Sequence, residues 1–249
     1  MKITLNDIKY LVNESVKKIL KESNDEGTPS VYVGTYGKYN GGSLKGEWVD
    51  LTNFNSKEEF LQYCRQLHSD EPDAELMFQD YEYIPEIFIG ESYIDERFWD
   101  YLNDDSYDND IKYAVASEAS DVDDYFNMIQ DIQIFPGCND MSDVAYSYIE
   151  DGIYPQNPEY YFDYESFGRD CSFDGPSDEQ YESIYQEYGV TEDNDVELGE
   201  AIVDQIYGGV ENLPQETLIR YIDFDKLGTA LSYDGRWIEY DNGMIEIIS

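Results

Sequence analysis

Cys64 and His68 stand four residues apart in a stretch with helical periodicity, which sets a thiol and an imidazole on one helix face. Such a pair can contribute to a metal site or form a thiolate–imidazole nucleophile. Neither role finds company: Cys138 and Cys171 are remote and His68 is the only histidine. The pair is therefore read as a surface histidine near a buried cysteine. Asp170-x-Ser172-x-Asp174-Gly175 opens like an EF-hand loop, but its twelfth position is Tyr181 rather than a bidentate Glu. The stretch from Asp104 to Asp110 has Asn109 where a calcium loop turns on glycine. Carboxylate pairs suited to glycoside hydrolysis carry no information, because 56 acidic residues supply every separation by chance. No phosphate-cradling Gly-rich loop, Gly-x-Ser-x-Gly elbow or His-Glu-x-x-His is present. The expectation is a protein that is not an enzyme and needs neither metal nor cofactor.

What remains is the carboxylates taken together. The chain has 249 residues, with 56 Asp and Glu against 15 Lys and Arg, and a formal charge of −41. Residues 1–65 hold nine of each sign, so the other 47 carboxylates share only six cations. Two like charges ~4 Å apart repel by roughly 1 kcal/mol even in water, and solubility asks for a net charge of only about 2–8 on a small domain. Direct nucleic-acid binding is excluded, since it rests on cations that neutralise phosphates. The converse fits: a charge of −41 equals that of about 20 base pairs of duplex DNA. Carboxylates three or four apart on a helix have Cβ atoms about 5–6 Å apart, on the scale of neighbouring phosphates. Asp100/Asp104/Asp108, Asp121/Asp124 and Glu197/Glu200/Asp204 have that spacing. A rigid body decorated in this way would enter the basic groove of a DNA-binding protein. The candidate partner-binding residues are Asp100, Asp104, Asp105, Asp108, Asp110, Asp121, Asp123, Asp124, Asp140, Asp143, Glu150, Asp151, Glu197, Glu200 and Asp204. A halophilic protein would be acidic throughout, whereas residues 1–65 are neutral. A carbohydrate binder would use its 25 Tyr and 11 Phe, but those rings mostly fall at core-spaced positions.

Those carboxylates need elements to hold them. The expected fold class is α+β, elongated, in several small domains. Residues 1–28 are an extension whose amphipathic helix carries Leu5, Ile8, Val12, Val16 and Ile19 on one stripe, and which is expected to pack on the next domain, with docking on another protein as the alternative. Residues 29–91 form a small α/β domain with a three-stranded sheet: Val31-Tyr32-Val33, then Glu47-Trp48-Val49-Asp50, then a strand from Leu76, with a helix capped by Ser56. Residues 92–132 are a central acidic helical domain in which Phe98, Tyr101 and Leu102 face inward. Residues 133–249 are mostly helical and end in a β-hairpin at Asp241-Asn242-Gly243. This last segment repeats, over about 139–175 and 196–235. A shift of 60 places Tyr161, Asp163, Gly168, Ser172, Asp174 and Gly175 on Tyr221, Asp223, Gly228, Ser232, Asp234 and Gly235. No apolar run approaches ~20 residues and no secretory leader is visible, so a cytoplasmic location is expected, away from membranes.

The sequence also resembles the ArdA-type antirestriction proteins. The resemblance runs through Val31-Tyr32-Val33, Tyr39-Asn40, Leu44, Gly46-Glu47-Trp48-Val49-Asp50, Gln79-Asp80-Tyr81-Glu82 and Ile89-Gly90-Glu91. It continues in Asp140-Met141-Ser142-Asp143-Val144-Ala145 through Tyr148-Ile149-Glu150, then in Tyr221-Ile222-Asp223-Phe224 and Gly243-Met244-Ile245-Glu246-Ile247. It implies an elongated homodimer of three small domains, acting as a B-DNA mimic in the bacterial host cell. Such a protein binds the methyltransferase and specificity subunits of type I restriction–modification enzymes and protects phage or mobile-element DNA. The resemblance places the antirestriction motif at residues 139–152 and dimerisation in the C-terminal domain. A DNA mimic aimed at a CRISPR effector, a nucleoid protein or a repair protein is the alternative. The chain departs from the family pattern in its first 26 residues, in Gln79 where the family carries His, and in the doubled C-terminal unit. The first copy keeps Gly168-Arg169-Asp170, while the second has Gly228-Thr229-Ala230. The doubling is expected either to lengthen the mimic or to replace dimerisation.

Overall fold

The computed structural model describes residues 27–174, 179, 182–184, 186 and 194–248, so the amphipathic helix expected over 1–26 lies outside the described residues. The chain divides into two units, the first ending at Gln130 and the second starting at Asp131. No described helix is long and apolar enough to cross a membrane.

In the first unit, alternation of apolar residues dictates the sheet. Strands β1 (Ser30–Thr35), β2 (Glu47–Asp50) and β3 (Leu76–Glu82) are antiparallel in the order β2-β1-β3, and two short strands after them, β4 (Ile89–Gly90) and β5 (Tyr93–Ile94), pair with each other. Val31, Val33 and Val49 point to one face and are fully or almost fully buried. A bulge at Tyr32/Val33 leaves Gln79 without an opposite residue. A short helix, α1 (Tyr36–Asn40), leads to β2 through Gly42, whose φ of +81° suits the Asn40-Gly41-Gly42 turn. Helix α2 (Lys57–Leu67) starts where Ser56 Oγ accepts the Glu59 N–H at 3.3 Å, and it buries Phe60 and Cys64.

Three short helices follow, α3 (Phe98–Asn103), α4 (Asn109–Glu118) and α5 (Val122–Met128). They share one aromatic core with the sheet. Phe60 touches both Phe78 and Trp99, and the Trp99 indole donates to the Phe54 carbonyl at 3.0 Å. Phe88 gathers Phe98, Tyr101, Tyr125 and Phe126 around itself at centroid distances of 5.0–6.4 Å. Residues 29–91 and the acidic helices after them are thus joined by rings, each pair stabilising by about 0.5–1.5 kcal/mol beyond its buried area. Lys112 is 2% exposed, and its ammonium donates to the carbonyls of Tyr101 and Asp104, which closes the α3–α4 connection.

His68 is not the surface residue that the sequence suggests. It is 2% exposed, because the end of α2 turns it under β1, with Nε2 3.3 Å from the Val33 carbonyl and Nδ1 2.9 Å from the Lys38 ammonium. An ammonium can only donate, so Nδ1 accepts and Nε2 carries the proton. Lys38 is held in turn by Asp70 at 2.8 Å. Burial, with the Lys38 charge second, pushes the His68 pKa down, and burial raises the Cys64 thiol to about 12; both shifts disfavour a thiolate–imidazolium pair.

The second unit is a three-stranded antiparallel sheet with helices against it. Strands β6 (Ile132–Pro136), β7 (Arg236–Tyr240) and β8 (Gly243–Ile247) take the order β6-β8-β7, and β7–β8 is the hairpin expected at Asp241-Asn242-Gly243. The helices are α6 (Met141–Glu150), α7 (Tyr164–Asp174), α8 (Asp195–Ile202), α9 (Gln215–Tyr221) and α10 (Phe224–Asp234). Their core includes Ile149, Phe162, Phe167, Leu198, Ile202, Leu218 and Leu227. A second cluster of Phe135, Val144 and Met244 joins α6 to the sheet. The glycines of the repeat set the helix contacts. A Cβ on Gly168 would sit 1.9 Å from the Asp195 carbonyl oxygen of α8, and one on Gly228 would sit 2.4 Å from the Met141 carbonyl oxygen of α6.

Two outcomes are expected. Alanine has a helix propensity about 1 kcal/mol better than glycine, but the obstacle at Gly168 is backbone, and overpacking costs about 1–3 kcal/mol. Gly168→Ala should therefore lower the thermal midpoint, measured by circular dichroism, where propensity alone would raise it. For His68, the charged form is disfavoured in the fold, so its contribution to stability is full above the unfolded pKa of about 6.5 and falls away as pH drops below it. The midpoint of the parent chain should drop on acidification from pH 7.5 to 5.5, and drop less in His68→Gln.

Candidate functional site

The fifteen carboxylates fall into two groups by what their oxygens touch. Asp121 and Asp140 are helix caps. Asp121 Oδ1 accepts the Asp124 N–H at 2.9 Å, and Asp140 Oδ1 accepts those of Ser142 and Asp143 at 2.8 and 3.0 Å. Asp124 and Asp143 answer from the first turn. Asp124 takes the Ser120 N–H at 2.8 Å and Asp143 takes the Asn139 N–H at 2.7 Å. Negative charge at a helix N-terminus is favourable by about 0.3–1 kcal/mol. These four carboxylates therefore support the fold as well as adding to the field.

The second group faces outward. Asp100, Asp105 and Asp108 are exposed in the first unit, with Asp104 and Asp110 partly so. Asp100, Asp104 and Asp108 do not form the single helical stripe that their spacing predicts. Helix α3 stops at Asn103, and Asp104 is already extended at φ −78°, ψ 112°. Its carboxylate accepts the Ser106 N–H at 2.9 Å in an Asx turn, while Lys112 holds its carbonyl. Asp108 then precedes α4 without capping it through its side chain. Glu150 and Asp151 are exposed at the end of α6, as are Glu197 and Glu200 on α8. Asp204 is exposed in the π turn Val203–Tyr207 that follows α8. Asp123 is the member of the set that a cation holds most closely, with Arg97 Nη1 at 2.6 Å. Other exposed carboxylates, Glu211 and Glu216, have the same outward aspect but lack an acidic neighbour three or four residues away, so a spacing rule passes over them.

The cations past Arg65 do little to cancel this charge. Arg97 pairs with Asp95 and Asp123, and Arg169 with Glu165 and Asp195. Lys112 donates to two backbone carbonyls, and Lys226 donates to the Tyr160 carbonyl at 2.7 Å while lying 3.5 Å from the centre of that ring. Arg220 lies against the Tyr221 ring. Hydrogen bonds hold several acids ionised. The Ser106 contact lowers the Asp104 pKa, the Asn139 contact lowers that of Asp143, and the Ser166 contact lowers that of Asp163. Among the described residues, no group of three or more His, Cys, Asp or Glu could hold a metal ion. The stretch that opens like a calcium loop is helical from Asp170 to Asp174, and Asp170 instead accepts the Tyr221 hydroxyl at 2.8 Å.

Comparison with known proteins gives this acidic surface a family context. No curated protein matches the chain. Residues 31–182 match the model of the antirestriction protein family ArdA, which takes in both the sheet of the first unit and the α6–α7 segment of the second. That match spans more than half of the sequence, and the chain belongs to the ArdA antirestriction family.

Proposed function

We propose that the chain protects incoming phage or mobile-element DNA by occupying the DNA-binding groove of a type I restriction–modification enzyme, with its carboxylates standing in for phosphates. The partner surface is formed by the methyltransferase and specificity subunits, and the encounter takes place in the bacterial cytoplasm. The observation that supports this reading is the disposition of charge. Past Arg65 exposed carboxylates far outnumber the exposed cations Arg169, Arg220 and Arg236, while Lys112 and Lys226 donate to backbone carbonyls and lie over rings. A cationic groove built for DNA meets complementary potential on such a surface, which speeds encounter and fixes orientation. Catalysis has no part in it: the protein acts by exclusion.

The field is collective, so the test is as well. Exposed single charges contribute a few tenths of a kcal/mol each. Asp100→Asn, Asp105→Asn or Asp108→Asn alone should weaken inhibition of a purified type I enzyme by less than about threefold. All three combined with Glu150→Gln, Glu197→Gln and Glu200→Gln should cost about 2 kcal/mol, roughly 30-fold. Loss of all inhibition from one of these changes would refute the proposal. The caps should behave differently: Asp121→Ala and Asp140→Ala should each lower stability by about 1 kcal/mol. Salt provides a second test. The Debye length shortens from about 10 Å at 0.1 M to about 3 Å at 1 M. Rising salt should weaken inhibition and, by screening self-repulsion, raise the thermal midpoint. Inhibition unmoved by salt would exclude an electrostatic decoy.

A further inference from the structure

Rings hold cations in this molecule even though carboxylates abound. Arg97 lies 5.7 Å from the centre of Phe126 and Lys112 5.4 Å from that of Tyr101. Arg220 lies 6.0 Å from the centre of Tyr221 and Lys226 3.5 Å from that of Tyr160. An aromatic face is negative and attracts a cation within about 6 Å of its centre.

The first unit offers similar rings with no cation on them. Tyr93 is 56% exposed and Tyr113 46% exposed. Among the described residues, no Lys or Arg lies over either ring. Tyr93 stands opposite Gly90 in the β4–β5 pair, and its ring covers that glycine: a Cβ there would sit 2.4 Å from Tyr93 Cε1. One side of the ring thus rests on backbone while more than half of the residue stays exposed. Tyr81 connects the two rings. Burial raises its hydroxyl above the ordinary pKa of 10.0, and Glu86, Tyr113, Asp80 and Tyr93 push the same way, which sets all four within electrostatic reach of one phenol. Asp80 and Glu86 are exposed. The blocks Gln79-Asp80-Tyr81-Glu82 and Ile89-Gly90-Glu91, which carry part of the family resemblance, are joined here by the Phe78 N–H, which donates to the Glu91 carbonyl at 2.7 Å.

Rings beside carboxylates suit one cation better than the other. A guanidinium is planar and weakly hydrated, stacks on an aromatic face and forks to carboxylates, whereas an ammonium is a compact, strongly hydrated point charge. We propose that Tyr93 and Tyr113, with Asp80 and Glu86 beside them, form a docking site for arginine side chains of the partner's groove. The inference rests on the reading of that partner as a DNA-binding protein, and it names what the groove presents. A carboxylate field alone attracts lysine and arginine alike. The rings add a preference between them.

The test uses the full chain and two labelled probes of equal charge, octa-arginine and octa-lysine, titrated by fluorescence anisotropy. Y93L/Y113L removes the rings and Y93F/Y113F keeps them. The parent and Y93F/Y113F should bind octa-arginine about tenfold more tightly than Y93L/Y113L. Octa-lysine should lose less than about threefold in the same comparison. Equal losses for the two peptides, or a leucine variant that binds octa-arginine as the parent does, would overturn the inference. Should the double variant fail to fold, Y93L alone decides, with an expected loss for octa-arginine of about threefold. The probes contain no enzyme. A chain that shows the ring-dependent preference but leaves a type I enzyme uninhibited would therefore refute the target and uphold the arginine site.

Discussion

Unbalanced negative charge constrains everything else in this molecule. With 47 carboxylates and six cations past Arg65, ion pairing cannot hold the chain together, and the ion pairs of Arg97 and Arg169 lie at the surface, where each is worth about 0–1 kcal/mol. Cohesion has to come from groups that carry no charge. The first unit answers with a connected set of rings from Phe54 through Phe60 and Trp99 to Phe98, Phe88 and Tyr125. The second answers with aliphatic helix faces and glycines that let backbones approach. The high tyrosine content belongs to the same solution, because a phenol buries a ring while leaving its hydroxyl to a carboxylate, as Tyr148 does with Glu246 and Tyr221 with Asp170.

The acids also contribute to the fold where geometry allows. Asp121 with Asp124, and Asp140 with Asp143, turn their charge toward orphan N–H groups at helix starts, where a carboxylate is an asset. Local usefulness and collective repulsion are thereby separated: a residue can stabilise its own turn while adding to a field the whole body bears.

Much of this could be read from residue patterns. Alternation at Val31, Val33 and Val49, the Ser56 cap and the turn at Asp241-Asn242-Gly243 have local causes, and each appears where its pattern puts it. What spacing alone could not supply were decisions made by distant groups. The stripe Asp100/Asp104/Asp108 has helical periodicity, but a lysine eight residues beyond Asp104 captures its carbonyl and the helix stops. His68 looks polar and external, and is buried because a strand carbonyl and Lys38 wait for its two nitrogens. The repeat was visible as matched residues over 161–175 and 221–235, but which helix each repeated glycine meets, α8 for Gly168 and α6 for Gly228, is a property of pairing, to which a one-dimensional comparison is blind.

The order of synthesis gives the pairing of β6 with β8 a consequence of its own. Ile132 lies opposite Ile247, and α6 waits for α10, more than 70 residues downstream. The first residues of this unit to leave the ribosome thus find their neighbours among the last. Contacts of such long sequence separation form slowly, and until the final strand emerges the nascent segment holds its apolar faces bare. Loss of β8 removes the central strand of the sheet, the one that pairs with both β6 and β7, and exposes the chain to aggregation.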